Sequence, residues 1–251
     1  MSSSIWTQCA GSSEVRHLRD RAWRTVEAQH QVSTRKLVDS VEDQELLEEI
    51  VEARKPPLPD HANLHYLLIT PFRYPPLAHG SRFGSRRERG IWYGAETIPT
   101  GLAEVAYYRL VFLHGSEADL GMLQIVLTAY SAIADTDAGI DLASEPFSVF
   151  HSRISSKTSY RDSQALGRAM RDAGVVAFRY RSARDPGGGA CLGVFEPSGF
   201  ARKTPTSYQT WHCFATRDRV EFRRGAFTRQ TIHNYELRDF LVRGRLPAPA
   251  A

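Results

Sequence analysis

The sequence predicts an α+β fold, and three observations carry that expectation. The first sixty residues hold two helical stretches with too little apolar surface for a core of their own. From His65 onward short strand-like runs dominate, interrupted by two helical patterns. Strands and helices follow no regular alternation, which argues against a parallel sheet of repeated crossover units.

In chain order, Arg19–Val32 and Asp43–Arg54 read as helices, the second with Leu46, Leu47, Ile50 and Val51 as its apolar stripe. The following KPPLPDH stops it. Residues 1–60 are therefore expected as an N-terminal helical extension packed on a main domain, residues 61–251. His65–Tyr74 reads as the first strand, with Pro71 turning its end, and Gly90–Ala95 as a second. Thr100–Leu113 has the pattern of a helix capped by Thr100, and Met122–Ala134 that of a long strand. SYRDSQALGRAMRDAG reads as a helix closed by Gly174, followed by strands at VVAFRY and CLGVFEP. SYQTWHCFA and RVEFRR are expected to pair across a short turn, and RGRLPAPAA to form a loose tail.

Composition narrows the function. The chain has 251 residues, 42% hydrophobic and 24% charged, ordinary for a globular protein. No apolar run reaches the roughly 18 residues of a membrane span. The start MSSSIWTQCAGSSEV lacks the pattern of a signal peptide, so a cytoplasmic protein is expected. Cys9, Cys191 and Cys213 are too scattered for a disulfide framework or a zinc site. The net charge is +4, and since only Lys36, Lys55, Lys157 and Lys203 are lysines, arginine supplies 28 of the 32 basic residues. Arginine's planar fork suits carboxylates and phosphates. Gly187–Gly189 does not complete a P-loop, and no G-x-G-x-x-G is present, which argues against hydride transfer on a Rossmann fold.

The densest local signal is SRFGSRRERGIWYGAETIPTGLAEVAYYR, Ser81–Arg109. Arg86, Arg87 and Arg89 read as a solvated basic loop, whereas Arg82 lies in a turn that Ser81 and Gly84 tighten and Phe83 anchors. Strand alternation sends Trp92 and Tyr93 to opposite faces without saying which enters the core. Glu104 stands among Leu102, Val105 and Leu110, compatible with a surface position or with a carboxylate in a cleft. Arg73 is a secondary candidate for a phosphate-bearing cleft, and Arg179 and Arg181 flank Tyr180 with the choice between them open. His212 reads as packed on a strand, and Trp23, His30 and Arg35 as structural.

Two of these stretches, RFGSRRERGIWYGAETIPTGLAEVAYY and FRYRSARDPGGGACLGVFEP, resemble the RES-domain family over roughly Tyr66–Phe222. The resemblance implies an ADP-ribosyltransferase-like mixed sheet core and a toxin component of a bacterial toxin–antitoxin system that consumes NAD. It groups Arg82, Tyr93, Glu104 and Ser182 as the catalytic set. Arg73, Arg82, Tyr93, Arg181 and Ser182 are the expected NAD contacts. NAD would be a consumed substrate, with no tightly bound cofactor or metal and with inorganic phosphate as a possible co-substrate. The implied partners are an Xre-like antitoxin with a helical DNA-binding part and a second copy of the chain, with no membrane and no direct nucleic-acid contact. Cleavage of the nicotinamide–ribose bond by hydrolysis or phosphorolysis is the leading expectation. Protein ADP-ribosylation is the enzymatic alternative, and a basic nucleic-acid-binding protein the non-enzymatic one.

Overall fold

The computed structural model describes residues 4–28, 40–54, 56, 63–74, 76–226 and 229–248. Its strands are β1 (Arg16–Glu27), β2 (Trp92–Ala95), β3 (Leu123–Asp141), β4 (Ala177–Arg181), β5 (Ala190–Val194), β6 (Ser207–Ala215), β7 (Arg219–Arg224) and β8 (Thr231–Glu236). Its α-helices are α1 (Ile5–Gln8), α2 (Val41–Arg54), α3 (Tyr66–Arg73), α4 (Ile98–Gly115), α5 (His151–Ile154), α6 (Arg161–Asp172) and α7 (Leu237–Phe240). The strands form one mixed sheet in the order β1-β2-β5-β4-β3-β6-β7-β8, and β1 also pairs with β3. Hydrogen-bonded neighbours therefore run β1-β2-β5-β4-β3 and back to β1, a closed circuit from which β6, β7 and β8 extend. Only β3 and β4 are parallel among the described pairs.

Two elements correct the sequence reading. The stretch expected as a helix over Arg19–Val32 is strand β1 as far as Glu27, paired with β3 residue by residue from Leu18 to Glu27; residues 29–32 lie outside the described ones. The apolar positions explain the ambiguity, because Leu18, Ala22 and Val26 are spaced by four, which fits a helical face and one face of a strand equally well. Pairing of the whole of β1 with Leu127–Gly139 of β3 decides for the strand. His30, Arg35 and the expected domain boundary after residue 60 also lie outside the described residues.

The stretch expected as a strand over His65–Tyr74 is helix α3, capped by the His65 ring, which accepts from the Leu67 N–H (3.2 Å). A short continuous apolar run such as Leu67–Ile69 suits either element. Pro71 sits inside this helix and cannot donate to the carbonyl four residues back, that of Leu67. The Tyr130 hydroxyl of β3 donates to that carbonyl instead, at 2.6 Å, so the defect is repaired by the sheet it packs on.

The remaining elements stand close to expectation. Helix α4 begins earlier than expected, with Thr97 as the cap: its hydroxyl accepts from the Thr100 N–H at 3.3 Å. Gly174, at φ 75°, follows α6 in the left-handed region that suits glycine. Strand β8 was not anticipated, and the tail is tied down as far as Pro247, whose carbonyl accepts from Tyr107 (2.6 Å). Leu102, Ala103, Ala106, Tyr107 and Leu110 of α4 pack with Leu127, Trp211, Cys213 and Phe222 of the sheet. Leu166 and Met170 of α6 pack with Phe83, Phe178 and Phe195. Among the described residues no helix is long and apolar enough to cross a membrane.

Candidate active site

A cleft of about 620 Å³ opens between β1, β2, α4 and the segment before β2, within the usual range for small-molecule sites. Arg82, Tyr93 and Glu104 all line it. Eleven residues separate each from the next in the chain, so the fold alone unites them.

Arg82 rides on the tight turn expected from its sequence. Ser81 N–H donates to the Gly84 carbonyl (2.7 Å), and Gln164 of α6 donates to the carbonyls of His79 (3.1 Å) and Ser81 (3.0 Å). Phe83 is fully buried, edge-on to Phe178 and Tyr180, and pins the turn to the core. The Arg82 guanidinium, 8% exposed, donates to the Ser156 carbonyl (2.8 Å) and lies over the Tyr160 ring at 4.9 Å. Arg86, Arg87 and Arg89 are exposed, in keeping with a solvated loop.

The alternation of β2 is resolved. Trp92 enters the core and donates to Tyr130 (3.1 Å), so Tyr93 faces the cleft. The Tyr93 hydroxyl accepts from the Phe83 N–H (3.2 Å) and shares a hydrogen bond with Ser81 (2.9 Å). Burial pushes this phenol up to about 12, the bonds from Ser81 and Phe83 and the charge of Arg82 opposing it. Its hydroxyl is thus a neutral anchor, and the ring is a fixed wall of the cleft.

Glu104 is held from behind. Ser182, 4% exposed, donates from Oγ to Glu104 Oε1 at 2.5 Å across 78 residues of sequence. The same oxygen accepts from the N–H groups of Arg184 and Asp185, both at 3.0 Å. With its proton directed at Glu104 and its oxygen accepting from two N–H groups, Ser182 braces the carboxylate. Asp185 extends the support. It accepts from the N–H groups of Gly187 (2.9 Å) and Gly189 (3.0 Å) and from the Thr100 hydroxyl (2.8 Å), which ties the loop to the first turn of α4. A Cβ on Gly189 would stand 2.1 Å from Thr100 Oγ1 and 2.5 Å from Asp185 Oδ2, so glycine at this position supplies clearance. The glycine run dismissed as a P-loop has this separate use.

Other expected residues lie elsewhere. Arg73 is the last residue of α3, where its Nε donates to the Pro56 carbonyl (2.5 Å), while Pro71 and Tyr74 beside it line the cleft. Arg181 is exposed at the end of β4 and does not line the cleft, and Arg179 pairs with Glu96 and Asp141. His212 is on strand β6 as read, but exposed. Sequence reasoning missed Arg24 and Glu27 of β1, Tyr108 and Arg109 of α4, and Tyr160, all of which line the cleft. The α4 set was legible, since Gly101, Glu104, Val105, Tyr108 and Arg109 follow the i, i+3, i+4, i+7, i+8 spacing of one helical face.

The RES domain model matches residues 57–214, more than half of the chain. The chain belongs to the RES domain family. RES domains are NAD-consuming toxin modules, so NAD here is a substrate that is degraded. Among solved structures, a chain of the M. tuberculosis MbcT-MbcA toxin-antitoxin complex is similar, at 11% identity and a TM-score of 0.49, over 82% of this chain and 91% of that one. No curated protein matches the chain.

Proposed function

We propose that this RES domain cleaves the nicotinamide–ribose bond of NAD in the cleft of Arg82, Tyr93 and Glu104 and passes ADP-ribose to water or to inorganic phosphate. The observation that carries this reading is the Glu104 carboxylate, fixed by Ser182 and facing a cleft walled by an aromatic ring and a buried arginine. Nicotinamide leaves as a neutral base with the bonding electron pair, so no acid is needed to protonate it. Positive charge develops on the ribose, and Glu104 lies where a fixed carboxylate offsets that charge and orients the attacking oxygen. Tyr93 stacks on the nicotinamide end, and Arg82 meets the nearer phosphate or ribose. Ser182 fixes the Glu104 rotamer, so the carboxylate is aligned before substrate arrives.

The sheet is read as an ADP-ribosyltransferase-like core. Because β1 is bonded into it and lines the cleft, the catalytic unit in this proposal begins at β1 and not at residue 61. The proposed partner is an antitoxin that occludes the cleft, Xre-like with a helical DNA-binding part; the family resemblance supports it.

Purified, antitoxin-free protein incubated with NAD tests the reaction. The products to separate are nicotinamide, ADP-ribose and ADP-ribose-1″-phosphate, with and without inorganic phosphate. Folded protein that releases no nicotinamide ends this proposal. A phosphorylated product that requires phosphate assigns phosphorolysis, ADP-ribose in both conditions assigns hydrolysis, and label on protein assigns transfer.

A further inference from the structure

Strand β1 brings a second arginine into the cleft. Arg24 lines it and donates from Nη1 to the backbone carbonyl of Tyr93 at 2.9 Å. β1 pairs with β2 only between Trp23 and Ala95, so the Arg24 side chain meets β2 two residues before that contact. Among the described residues Arg24 has no carboxylate partner, and one N–H in hydrogen-bond use leaves the rest of its fork available.

Tyr93 separates Arg24 from Arg82. Arg24 sits at its carbonyl end, and the turn that carries Arg82 holds its hydroxyl end. Glu104 belongs with Arg82, since the charges of both act on the buried Tyr180 and Cys191. Beyond Arg24 the cleft continues between β1 and α4 as far as the Arg109–Glu27 ion pair. Arg109 follows Glu104 by five residues, about 7.5 Å along the helix axis. The Arg24 fork, open to the cleft with N–H groups to spare, is a receptor for an oxyanion carrying several acceptor oxygens.

Resting on the NAD reading above, we infer that Arg24 binds the adenosine-side phosphate of the dinucleotide. The substrate then spans the cleft from α4 to β1, its reactive ribose at Glu104 and its adenosine half at Arg24. Arg24 is a binding residue for the half of NAD that does not react, so it acts on affinity more than on the chemical step.

The test compares wild type, Arg24→Ala and Arg24→Lys, each shown to be folded by its thermal melt. ADP, which holds the adenosine half and no nicotinamide, is titrated calorimetrically, and steady-state NAD cleavage is measured in parallel. Arg24→Ala weakens ADP binding and raises the KM for NAD by about tenfold or more, while kcat falls by less than about threefold. Arg24→Lys recovers part of both losses. Unchanged ADP affinity in Arg24→Ala overturns the inference, as does a fall in kcat at constant KM, which marks Arg24 as a prop for Tyr93 only. Wild type that binds no ADP overturns it too. Wild type that binds ADP through Arg24 but releases no nicotinamide sinks the proposed reaction and leaves the phosphate site standing.

Discussion

The two ends of the cleft are built differently. At the Glu104 end Ser182, Asp185, Thr100 and Thr97 form a continuous hydrogen-bonded chain from the cap of α4 to the carboxylate, with the Arg184 N–H branching from it. At the β1 end Arg24 has one hydrogen bond among the described residues, and Glu27 faces solvent with 61% of its side chain exposed. Such a difference separates two tasks. Stabilising a developing charge demands groups that need no reorganisation, whereas holding a flexible, hydrated phosphate tolerates groups that settle on binding.

The largest effect is expected where the contrast is sharpest. Glu104→Gln keeps the shape and removes the charge, and nicotinamide release should fall at least about a hundredfold with an unchanged melting temperature. A variant that retains full turnover would show that the tied end is only structural. Asp185→Asn puts a donor in place of one of the two oxygens that accept from Thr100, Gly187 and Gly189. Its kcat should drop about tenfold while KM for NAD stays near wild type, because the change reaches substrate only through Ser182 and Glu104. If KM rises instead, the loop contacts substrate directly.

A smaller effect is expected from alkali. Burial raises the Tyr93 phenol from 10.0 to about 12, so its contribution to stability is complete below pH 10. Between those values the unfolded chain ionises while the folded protein keeps the proton, and stability is lost as pH climbs through that window. Tyr107, also raised to about 12 by burial, shares the window. Melting temperatures measured across it should decline, and Tyr93→Phe should make the decline shallower without abolishing it. The smallest effect belongs to the open end. Glu27→Gln breaks a largely exposed ion pair with Arg109 and should change unfolding free energy by less than about 1 kcal/mol in a denaturant titration. A larger loss would mean that both ends are tied alike.

The same contrast governs what was legible in the sequence. Arg82, Tyr93 and Glu104 carry local signals, a glycine-bounded turn, a strand alternation and a carboxylate among apolar residues, and the cleft unites all three. Their grouping with Ser182 was implied by family resemblance alone, because no local pattern relates Glu104 to a residue 78 positions away; the bond between those two is a product of the fold. Arg24 was hidden by the spacing of Leu18, Ala22 and Val26, which supports a helix as well as a strand until the partner strand is known. The α3 reading failed for a similar reason: the hydroxyl that makes Pro71 tolerable in a helix comes from Tyr130, in β3. Helix α6 and strands β6 and β7 were readable because caps, turns and periodicity all lie within the segment itself.

The closed circuit of strands also sets a timetable. β1 is made before its partners in β3, Leu127–Gly139, and the circuit closes only when β5, Ala190–Val194, has been made. Pairing between such distant segments is slow, since a long loop must be closed before any contact rewards it. The cleft is thus assembled from the first strand and from loops synthesised more than a hundred and fifty residues later. A chain that lacks β5 has no finished cleft.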